Sequence, residues 1–291
     1  MPDQTSPSQA VPLSRTQLSL QALFAIICCP ACRQPRENWC LSVTDPALGR
    51  EVQLTCSRCH EVYSWKDGIL DFIGKAEASE NITPFQRVMQ FSPVAAIYEK
   101  YWRPLGFFIA SSSSFRQFCA KLMALMNPGG RQMVLDLACG PGLFTCPMAQ
   151  KSPGWVIGFD LSLPMLRRAR KTANRLGLTN VLLVRGSALR LPFLDGAFDA
   201  ILCSGALHLF DRPDDALAEI ARTLCLQGCF VCQTTIKPKH SAGMAAFLDR
   251  VIRFGFFRSP EELNEKLRSA GIIVNEVWQR RIVYLFRSQR L

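Results

Sequence analysis

The stretch V-L-D-L-A-C-G-P-G-L-F-T, residues 134–145, decides the fold. Its apolar run leads directly into Gly140-Pro141-Gly142, which predicts a buried strand, a glycine turn and then a helix. Glycines let the backbone approach a ligand closely, and the N–H groups at the start of the next helix can bind an anion. A dinucleotide-binding loop would carry a third glycine where this chain has Thr145. The turn therefore indicates a ligand site without identifying the ligand.

Two carboxylates narrow the choice of ligand. Asp136 lies near the end of the first strand, where its carboxylate can face a cation of the ligand. Asp160 ends the second strand, G-W-V-I-G-F-D, at the place where a ribose diol is usually held. Together with the glycine turn, they suit a ligand that has an ammonium group, a carboxylate and a ribose. S-adenosylmethionine has all three.

Strands and helices alternate after residue 128. The apolar runs M-V-L-D-L-A-C, G-W-V-I-G-F-D, N-V-L-L-V-R-G, F-D-A-I-L-C-S-G and G-C-F-V-C-Q-T-T are separated mostly by helical segments such as P-D-D-A-L-A-E-I-A-R-T-L. A further helix and a closing strand pair follow. This pattern predicts an α/β fold with a doubly wound sheet over residues 129–291.

Five segments in order resemble class I S-adenosylmethionine-dependent methyltransferases: V-L-D-L-A-C-G-P-G-L-F-T, F-D-L-S-L-P-M-L-R-R-A, G-S-A-L-R-L-P-F-L-D-G-A-F-D, G-A-L-H-L-F and E-I-A-R-T-L-C-L-Q-G-C-F-V. The resemblance covers about 130–240 and is closest to the ubiquinone and menaquinone biosynthesis branch. It implies a seven-stranded, mostly parallel sheet. The segment F-Q-R-V-M-Q-F-S-P-V-A-A-I-Y-E-K-Y-W-R-P, with the cysteines before it, is similar to zinc-ribbon methyltransferases of chloroplasts. A cysteine module before such a core is also similar to 23S rRNA guanine-N1 methyltransferases.

The same resemblance implies which residues bind the cofactor. Ser187 stands where the family usually has an aspartate that accepts from the adenine amino group, and a hydroxyl accepts more weakly. The family pattern R-V-L-x-P-G-G corresponds to residues 222–229, with Cys229 in place of a glycine. The implied cofactor-binding residues are Asp136, Ala138, Cys139, Gly140, Gly142, Asp160, Leu161, Met165, Ser187, Ala188 and Ser204.

The methyl acceptor is expected after the fourth strand, near Ser204 and His208. Positioning alone can supply about 7–11 kcal/mol in a displacement reaction, so a catalytic base is not obligatory. His208 is the candidate base; alternatively it lines the pocket or bonds a backbone carbonyl. Aromatic residues before the core either form a lid or pack as a helix face. They are Tyr98, Tyr101 and Trp102, with Arg103 beside them.

The N-terminal part carries two C-x-x-C pairs. Cys29 and Cys32 are separated from Cys56 and Cys59 by 23 residues, a spacing typical of a closed, structural Zn²⁺ site without a catalytic role. Cys28 and His60 are adjacent spare ligands. The predicted organisation is a disordered arm (1–21), a zinc ribbon (22–75), a linker with a helical lid (76–128) and the methyltransferase domain (129–291).

Thirteen cysteines spread over the chain favour a reducing, cytoplasmic location over a secreted disulfide framework. The run L-S-L-Q-A-L-F-A-I-I before Cys28 imitates a secretion signal, but we interpret it as a strand leading into the metal site. No apolar run reaches the length of a transmembrane helix, about 18 residues.

Charge and composition leave three functions open. Residues 81–291 have 27 Lys/Arg against 14 Asp/Glu, a balance of +13, which suits RNA, a peripheral membrane contact or a solvated surface. The favoured acceptor is small or lipid-like, such as a quinone precursor, with Phe107, Phe108 and residues 254–260 lining an apolar entrance. The alternatives are an RNA base methyltransferase and a non-catalytic scaffold. Phosphate contacts would come from Arg250, Arg253, Arg258, Arg280, Arg281, Arg287 and Arg290.

Overall fold

The computed structural model describes residues 21–35, 37, 39–44, 51–73, 111–237 and 257–291. Their strands form one sheet, and helices cover both of its faces. The strands are β1 (Trp39–Thr44), β2 (Glu51–Cys56), β3 (Val62–Lys66), β4 (Ile69–Asp71), β5 (Met133–Leu137), β6 (Trp155–Asp160), β7 (Val181–Arg185), β8 (Phe198–Ser204), β9 (Leu224–Thr235), β10 (Ile272–Arg280) and β11 (Val283–Arg290). The helices are α1 (Phe115–Met126), α2 (Thr145–Lys151), α3 (Leu163–Arg175), α4 (Pro213–Thr223) and α5 (Pro260–Ser269).

Seven strands form the part of the sheet that the alternating pattern predicts. Their order is β7-β6-β5-β8-β9-β11-β10. The first five are parallel, whereas β11 runs antiparallel to both β9 and β10. From β5 the chain moves outward to β6 and β7, and it then returns to add β8 on the other side. This reversal creates a crevice at the carboxyl ends of β5 and β8, where doubly wound sheets bind ligands.

Side chains alternate between two cores. Val134 packs with Phe118 and Leu122 of α1, whereas the next residue, Leu135, packs with Leu217 of α4 on the opposite face. Successive strand residues point to opposite faces, so the apolar residues of β5 supply both cores. The two layers hold the carboxyl ends of the strands in place.

Strands β1–β4 extend the same sheet instead of folding as a separate body. They are antiparallel to one another, and β4 pairs in parallel with β7 through Ile69 opposite Leu183. Leu54, Trp65 and Phe72 belong to the hydrophobic cluster that also contains Leu135. We call the described residues 21–35, 37, 39–44 and 51–73 the cysteine module. Part of its apolar core is therefore continuous with that of the large domain, whereas Leu41 and Val62 are exposed.

The structure corrects two local predictions. The described part of the run before Cys28 is not a strand: residues 21–24 are helical, and Ile27 makes only an isolated bridge, to Phe193. The reason is that this segment docks on a distant loop and not on a neighbouring strand. The second correction concerns Cys229, which lies inside β9 opposite Ala200. The left-handed backbone expected of a glycine belongs to Gln227 (φ 62°), so the substituted glycine position is Gln227.

Several predictions concern residues outside the described part of the chain. They are the arm before residue 21, the linker at 76–110, the lid residues Tyr98, Tyr101, Trp102 and Arg103, the entrance residues Phe107 and Phe108 with 254–256, and Arg250 and Arg253. Of the predicted helical stretch before the core, α1 is the described part.

Candidate functional site

The sheet register brings the predicted ligand residues to one edge. Asp136 of β5 lies opposite Gly158 of β6 and Leu202 of β8. Asp160 and Ser204 are the last residues of β6 and β8. Each lies two residues beyond the partner of Asp136 in its strand, at the edge of the sheet where the glycine turn lies. The switch point of the sheet thus gathers residues that are up to 68 positions apart in the sequence, from Asp136 to Ser204.

The turn after β5 contains three residues with left-handed backbone: Ala138 (φ 57°), Gly140 (φ 55°) and Gly142 (φ 84°). A Cβ built on Gly140 would meet no heavy atom within 4 Å, so this side of the turn faces open space. A Cβ on Gly142 would lie 3.1 Å from Cβ of Ala169 in α3. Gly140 therefore leaves room for a ligand, whereas Gly142 allows close helix packing.

Asp160 connects this turn to the start of α3. Its Oδ2 accepts from the backbone N–H of Gly140 at 2.8 Å, and its Oδ1 accepts from that of Ser162 at 2.8 Å. Burial raises the pKa of Asp160, although these N–H groups oppose the rise. The carboxylate thus fixes the relative position of two loops that border the open space.

Asp136 is held by the residue at the third position of the glycine pattern. The Thr145 hydroxyl donates to Asp136 Oδ2 at 2.6 Å, and Asp136 is only 2% exposed. A hydroxyl at this position therefore orients the carboxylate, which a glycine could not do. This explains why the chain departs from the dinucleotide-binding pattern.

The loop between β7 and β8 (residues 186–197, the β7–β8 loop) forms a second wall. Ser187 is buried, and its Oγ accepts from the backbone N–H of Leu189 at 3.3 Å. A Cβ on Gly186 would lie 2.8 Å from the ring of Phe159, the residue before Asp160. Met165 is buried in the first turn of α3. The further predicted residues Leu161 and Ala188 are partly buried, and Cys139 is buried beside the turn.

Two buried hydroxyls at this edge have no hydrogen-bond partner among the described residues. They are Oγ of Ser204, at the end of β8, and Oγ of Ser162, just before α3. An unpaired buried hydroxyl is costly, about 1–3 kcal/mol, unless a ligand or water satisfies it. The unpaired hydroxyls and the open space at Gly140 fit a polar ligand such as S-adenosylmethionine. Ser162 was missed from the sequence because an N-cap serine commonly has a purely structural role.

His208 lies in a short 3₁₀ turn, Leu207–Leu209, directly after β8. Its Nδ1 is 3.3 Å from the hydroxyl oxygen of Thr234. Burial lowers the pKa of His208 to about 3, so the imidazole is neutral at pH 7. A neutral imidazole with so low a pKa is a weak general base.

The four predicted metal ligands converge. The Sγ atoms of Cys29, Cys32, Cys56 and Cys59 all lie within 4.8 Å of one another. The two pairs have matching local geometry, since the residue after each pair, Arg33 or His60, is left-handed and donates its N–H to the first cysteine's carbonyl. Such a set of four thiols has the chemistry of a closed tetrahedral site for a thiophilic metal.

The thiol pKa values in this cluster differ, because burial raises the pKa of Cys29 to about 12 and also raises that of Cys59. Burial raises the pKa of Cys56, but hydrogen bonds from the backbone N–H groups of Cys59 and Arg58 lower it to about 7. Thiolates, not thiols, are the ligand form. The spare ligands are not used, because Cys28 and His60 are not in the four-residue group and the Cys28 thiol donates to the carbonyl oxygen of Phe193 at 3.2 Å.

Among the described arginines that were predicted to contact phosphates, two make contacts within the chain. The Arg290 guanidinium donates to the backbone carbonyls of Leu224 and Arg222, and so it fixes the junction of α4 and β9. Arg280 is stacked over Trp278, with 5.9 Å between its guanidinium carbon and the ring centroid. None of the helices in the described part of the chain combines the length and apolar character needed to span a bilayer.

Comparisons with known proteins identify the family of this chain. A family model described as "Methyltransferase domain" matches residues 134–228. A demethylmenaquinone methyltransferase of Thermus thermophilus is 30% identical over 207 residues, which are 63% of this chain and 91% of that protein. A chloroplastic methyltransferase of Arabidopsis thaliana is 29% identical over 260 residues, 85% of this chain and 73% of that protein. Other curated relatives are covered over about half of their length, for example 56%.

Among solved structures, geranyl diphosphate C-methyltransferase from Streptomyces coelicolor A3(2), in complex with S-adenosyl-L-homocysteine, shares the fold. Its TM-score is 0.55 at 15% identity, over 62% of this chain and 83% of that one. The fold and the residues at the switch point define a class I methyltransferase. This chain belongs to the S-adenosylmethionine-dependent methyltransferases. The methyl donor is accordingly S-adenosylmethionine.

Proposed function

We propose that the protein methylates a small or lipid-like acceptor, such as a quinone precursor, at the switch-point crevice. The observation that carries this proposal is the arrangement of Asp136, Asp160 and the open glycine turn, found in a chain similar to a demethylmenaquinone methyltransferase over most of that protein's length. Membership of an enzyme family disfavours the non-catalytic scaffold.

The contacts support the following proposed cofactor-binding roles. Asp136, with Ala138, Cys139, Gly140 and Gly142 of the turn, faces the amino-acid part of S-adenosylmethionine. Each carboxylate oxygen of Asp160 has a second lone pair beyond its backbone bond, so both remain able to accept from ribose hydroxyls. The remaining assigned residues, Leu161, Met165, Ser187, Ala188 and Ser204, border the adenine and the sulfonium.

The chemistry requires little from the protein beyond alignment. S-adenosylmethionine supplies a methyl group that is already activated by the sulfonium. The protein binds both partners, orients them in line and excludes water, which accounts for a large part of the rate in such displacements. His208 is neutral and bonded to Thr234 of β9, and it is not required as a base.

The acceptor class is tested by incubating the full chain with methyl-labelled S-adenosylmethionine, demethylmenaquinone and, separately, total RNA. We expect label in the organic phase, dependent on demethylmenaquinone and lost with Asp160→Ala. RNase-sensitive label would replace this proposal with the RNA alternative. Cofactor binding without label in either fraction would exclude both acceptors.

We also propose that Cys29, Cys32, Cys56 and Cys59 hold one structural Zn²⁺. The four convergent thiols support this, as does the small size of the cysteine module, for which a metal would add stability. None of the thirteen cysteines forms a disulfide, which fits the proposed cytoplasmic, reducing location.

The metal proposal has a matched test in the same module. Elemental analysis of purified protein should give about one zinc per chain. The Cys32→Ser variant should lose most of this zinc, because only three of the four thiolate ligands remain. Cys40 is an exposed cysteine outside the cluster, so Cys40→Ser should keep full zinc content. Equal zinc in both variants, or none in the wild type, would disprove the site.

A further inference from the structure

The cysteine module is attached to the β7–β8 loop by residues that lie just before its first C-x-x-C pair. The backbone N–H of Cys28 donates to the carbonyl of Pro192 at 3.0 Å, and the N–H of Leu194 donates to the carbonyl of Ile26 at 2.8 Å. The Cys28 thiol adds its bond to Phe193. This loop begins with Gly186 and Ser187, so the module is bonded to the same loop that forms one wall of the cofactor site.

Arg33, directly after Cys32, contacts residues that are farther away in the sequence. Its guanidinium donates to the carbonyl of Leu191 at 2.9 Å and to Oε1 of Glu219, in α4, at 2.9 Å. Glu219 is only 8% exposed, and its Oε2 accepts from the N–H of Leu191 at 2.7 Å. The Arg222 guanidinium also donates to the carbonyl of Leu191 and to Oε2 of Glu219. Leu191 is thus held at both its N–H and its carbonyl.

These contacts reach the cofactor residues through one aromatic stack. Phe193 is fully buried, and its ring centroid is 5.8 Å from that of Phe159 in an edge-on arrangement. Phe159 in turn contacts Gly186 and directly precedes Asp160. Because packed cores transmit displacements, the position of Phe193 influences both walls of the site.

A second ion pair attaches the module to the opposite wall. Asp71 of β4 accepts from Arg185 Nη1 at 2.8 Å, and Arg185 Nε donates to the carbonyl of Leu161 at 3.0 Å. Leu161 follows Asp160 in the chain. The cysteine module is therefore connected to the β6–α3 turn through Arg185, in addition to its direct bonds to the β7–β8 loop.

We propose that the cysteine module is the outer wall of the cofactor site, and that Arg33 is a positioning residue that sets S-adenosylmethionine affinity by fixing Leu191 and the β7–β8 loop. This inference rests on the proposed cofactor site at the switch point. The left-handed backbone of Arg33, fixed by its bond to the Cys29 carbonyl, directs the guanidinium to this loop.

The test compares Arg33→Ala with Arg58→Ala in the full, zinc-loaded chain. Arg58 is the matched control, since it lies exposed in the second C-x-x-C pair. We expect Arg33→Ala to raise the Kd of S-adenosylhomocysteine, measured by calorimetry, about three- to tenfold, because a charge-assisted but partly exposed contact is lost. Arg58→Ala should leave it unchanged. The KM for S-adenosylmethionine should rise similarly, with kcat within about twofold.

Hydrogen exchange gives a readout that does not depend on activity. Peptides covering residues 187–195 should exchange faster in Arg33→Ala than in Arg58→Ala, and Arg33→Lys, which keeps the charge beside Glu219, should be intermediate in both exchange and Kd. If Arg33→Ala fails to fold, Arg33→Lys serves in the same comparison.

The outcomes separate this inference from the proposal on which it rests. A wild-type chain that does not bind S-adenosylhomocysteine overturns the cofactor site itself. A wild type that binds, with Arg33 variants equal to Arg58→Ala in Kd and exchange, overturns only the positioning role. A lowered kcat with unchanged Kd would also overturn it.

Discussion

The backbone N–H of Gly140 donates to Oδ2 of Asp160 across 2.8 Å, and this bond joins the ends of two adjacent strands. The same carboxylate accepts from the N–H of Ser162 through its other oxygen. A side chain expected only to bind a ribose therefore also shapes the glycine turn. Changes at this position should affect the geometry of the glycine turn and the affinity for the ligand together.

Asp160→Asn tests this double role. One carboxylate oxygen becomes an amide nitrogen, which cannot accept from Gly140 or from Ser162, so we expect a loss of about 1–3 kcal/mol in the free energy of unfolding. The Kd of S-adenosylhomocysteine should rise at least about tenfold because the ribose acceptor is also weakened. Urea unfolding and calorimetry measure the two effects. Asp211→Asn, at an exposed position, is the control. If Asp160→Asn keeps the stability of the wild type but binds S-adenosylhomocysteine weakly, Asp160 serves the ligand alone.

The sequence predicted the sheet well but predicted little of how the cysteine module attaches to it. The five apolar runs became β5 to β9 because local periodicity reports strands that bury both faces. The contact between Arg33 and Glu219 joins residues 186 positions apart, and no local pattern encodes such a pairing. Motif order located Asp136 and Asp160, whereas the unpaired hydroxyl of Ser162 is visible only once the loops are folded.

Ser187→Asp tests the adenine wall. The Ser187 hydroxyl accepts from Leu189, and a carboxylate in its place could accept from this N–H and from the adenine amino group. Charge-assisted bonds are about twice as strong as neutral ones, so we expect the Kd of S-adenosylhomocysteine to fall about three- to tenfold at pH 7. Ser187→Ala should raise it. Weaker binding by Ser187→Asp together with an unaffected Ser187→Ala would place the adenine elsewhere.

His208 predicts a pH dependence of stability. Its pKa is about 3 in the folded chain and about 6.5 in the unfolded chain, so between these values the unfolded state binds more protons. Stability should therefore fall as the pH drops below 6.5, by at most about 1.4 kcal/mol per pH unit from this group. His208→Gln removes this contribution. Thermal unfolding from pH 7 to pH 4 should show a shallower decline for the variant, and parallel curves would contradict the burial of a neutral imidazole.

His208 should also be absent from the pH–rate profile. A group that is neutral throughout pH 5.5–8 cannot produce an inflection near 6.5 in kcat/KM. An inflection present in the wild type and lost in His208→Gln would restore His208 as the catalytic base.

Gly142→Ala separates two reasons for a glycine in the turn. Gly177 also has left-handed backbone (φ 67°), but a Cβ there would meet nothing within 4 Å. Gly177→Ala should therefore cost only the conformational penalty, about 1–2 kcal/mol in the free energy of unfolding. Gly142→Ala adds a Cβ contact of 3.1 Å with Ala169, whose helix would have to move, and overpacking costs about 1–3 kcal/mol more.

Urea unfolding of the two variants measures this difference, and S-adenosylhomocysteine binding shows whether it matters for the site. Displacement of α3 would move Met165 and the turn at Ser162, so we expect weakened binding by Gly142→Ala and wild-type binding by Gly177→Ala. Equal losses of stability in the two variants would mean that α3 yields at Ala169 and that only the backbone conformation requires Gly142.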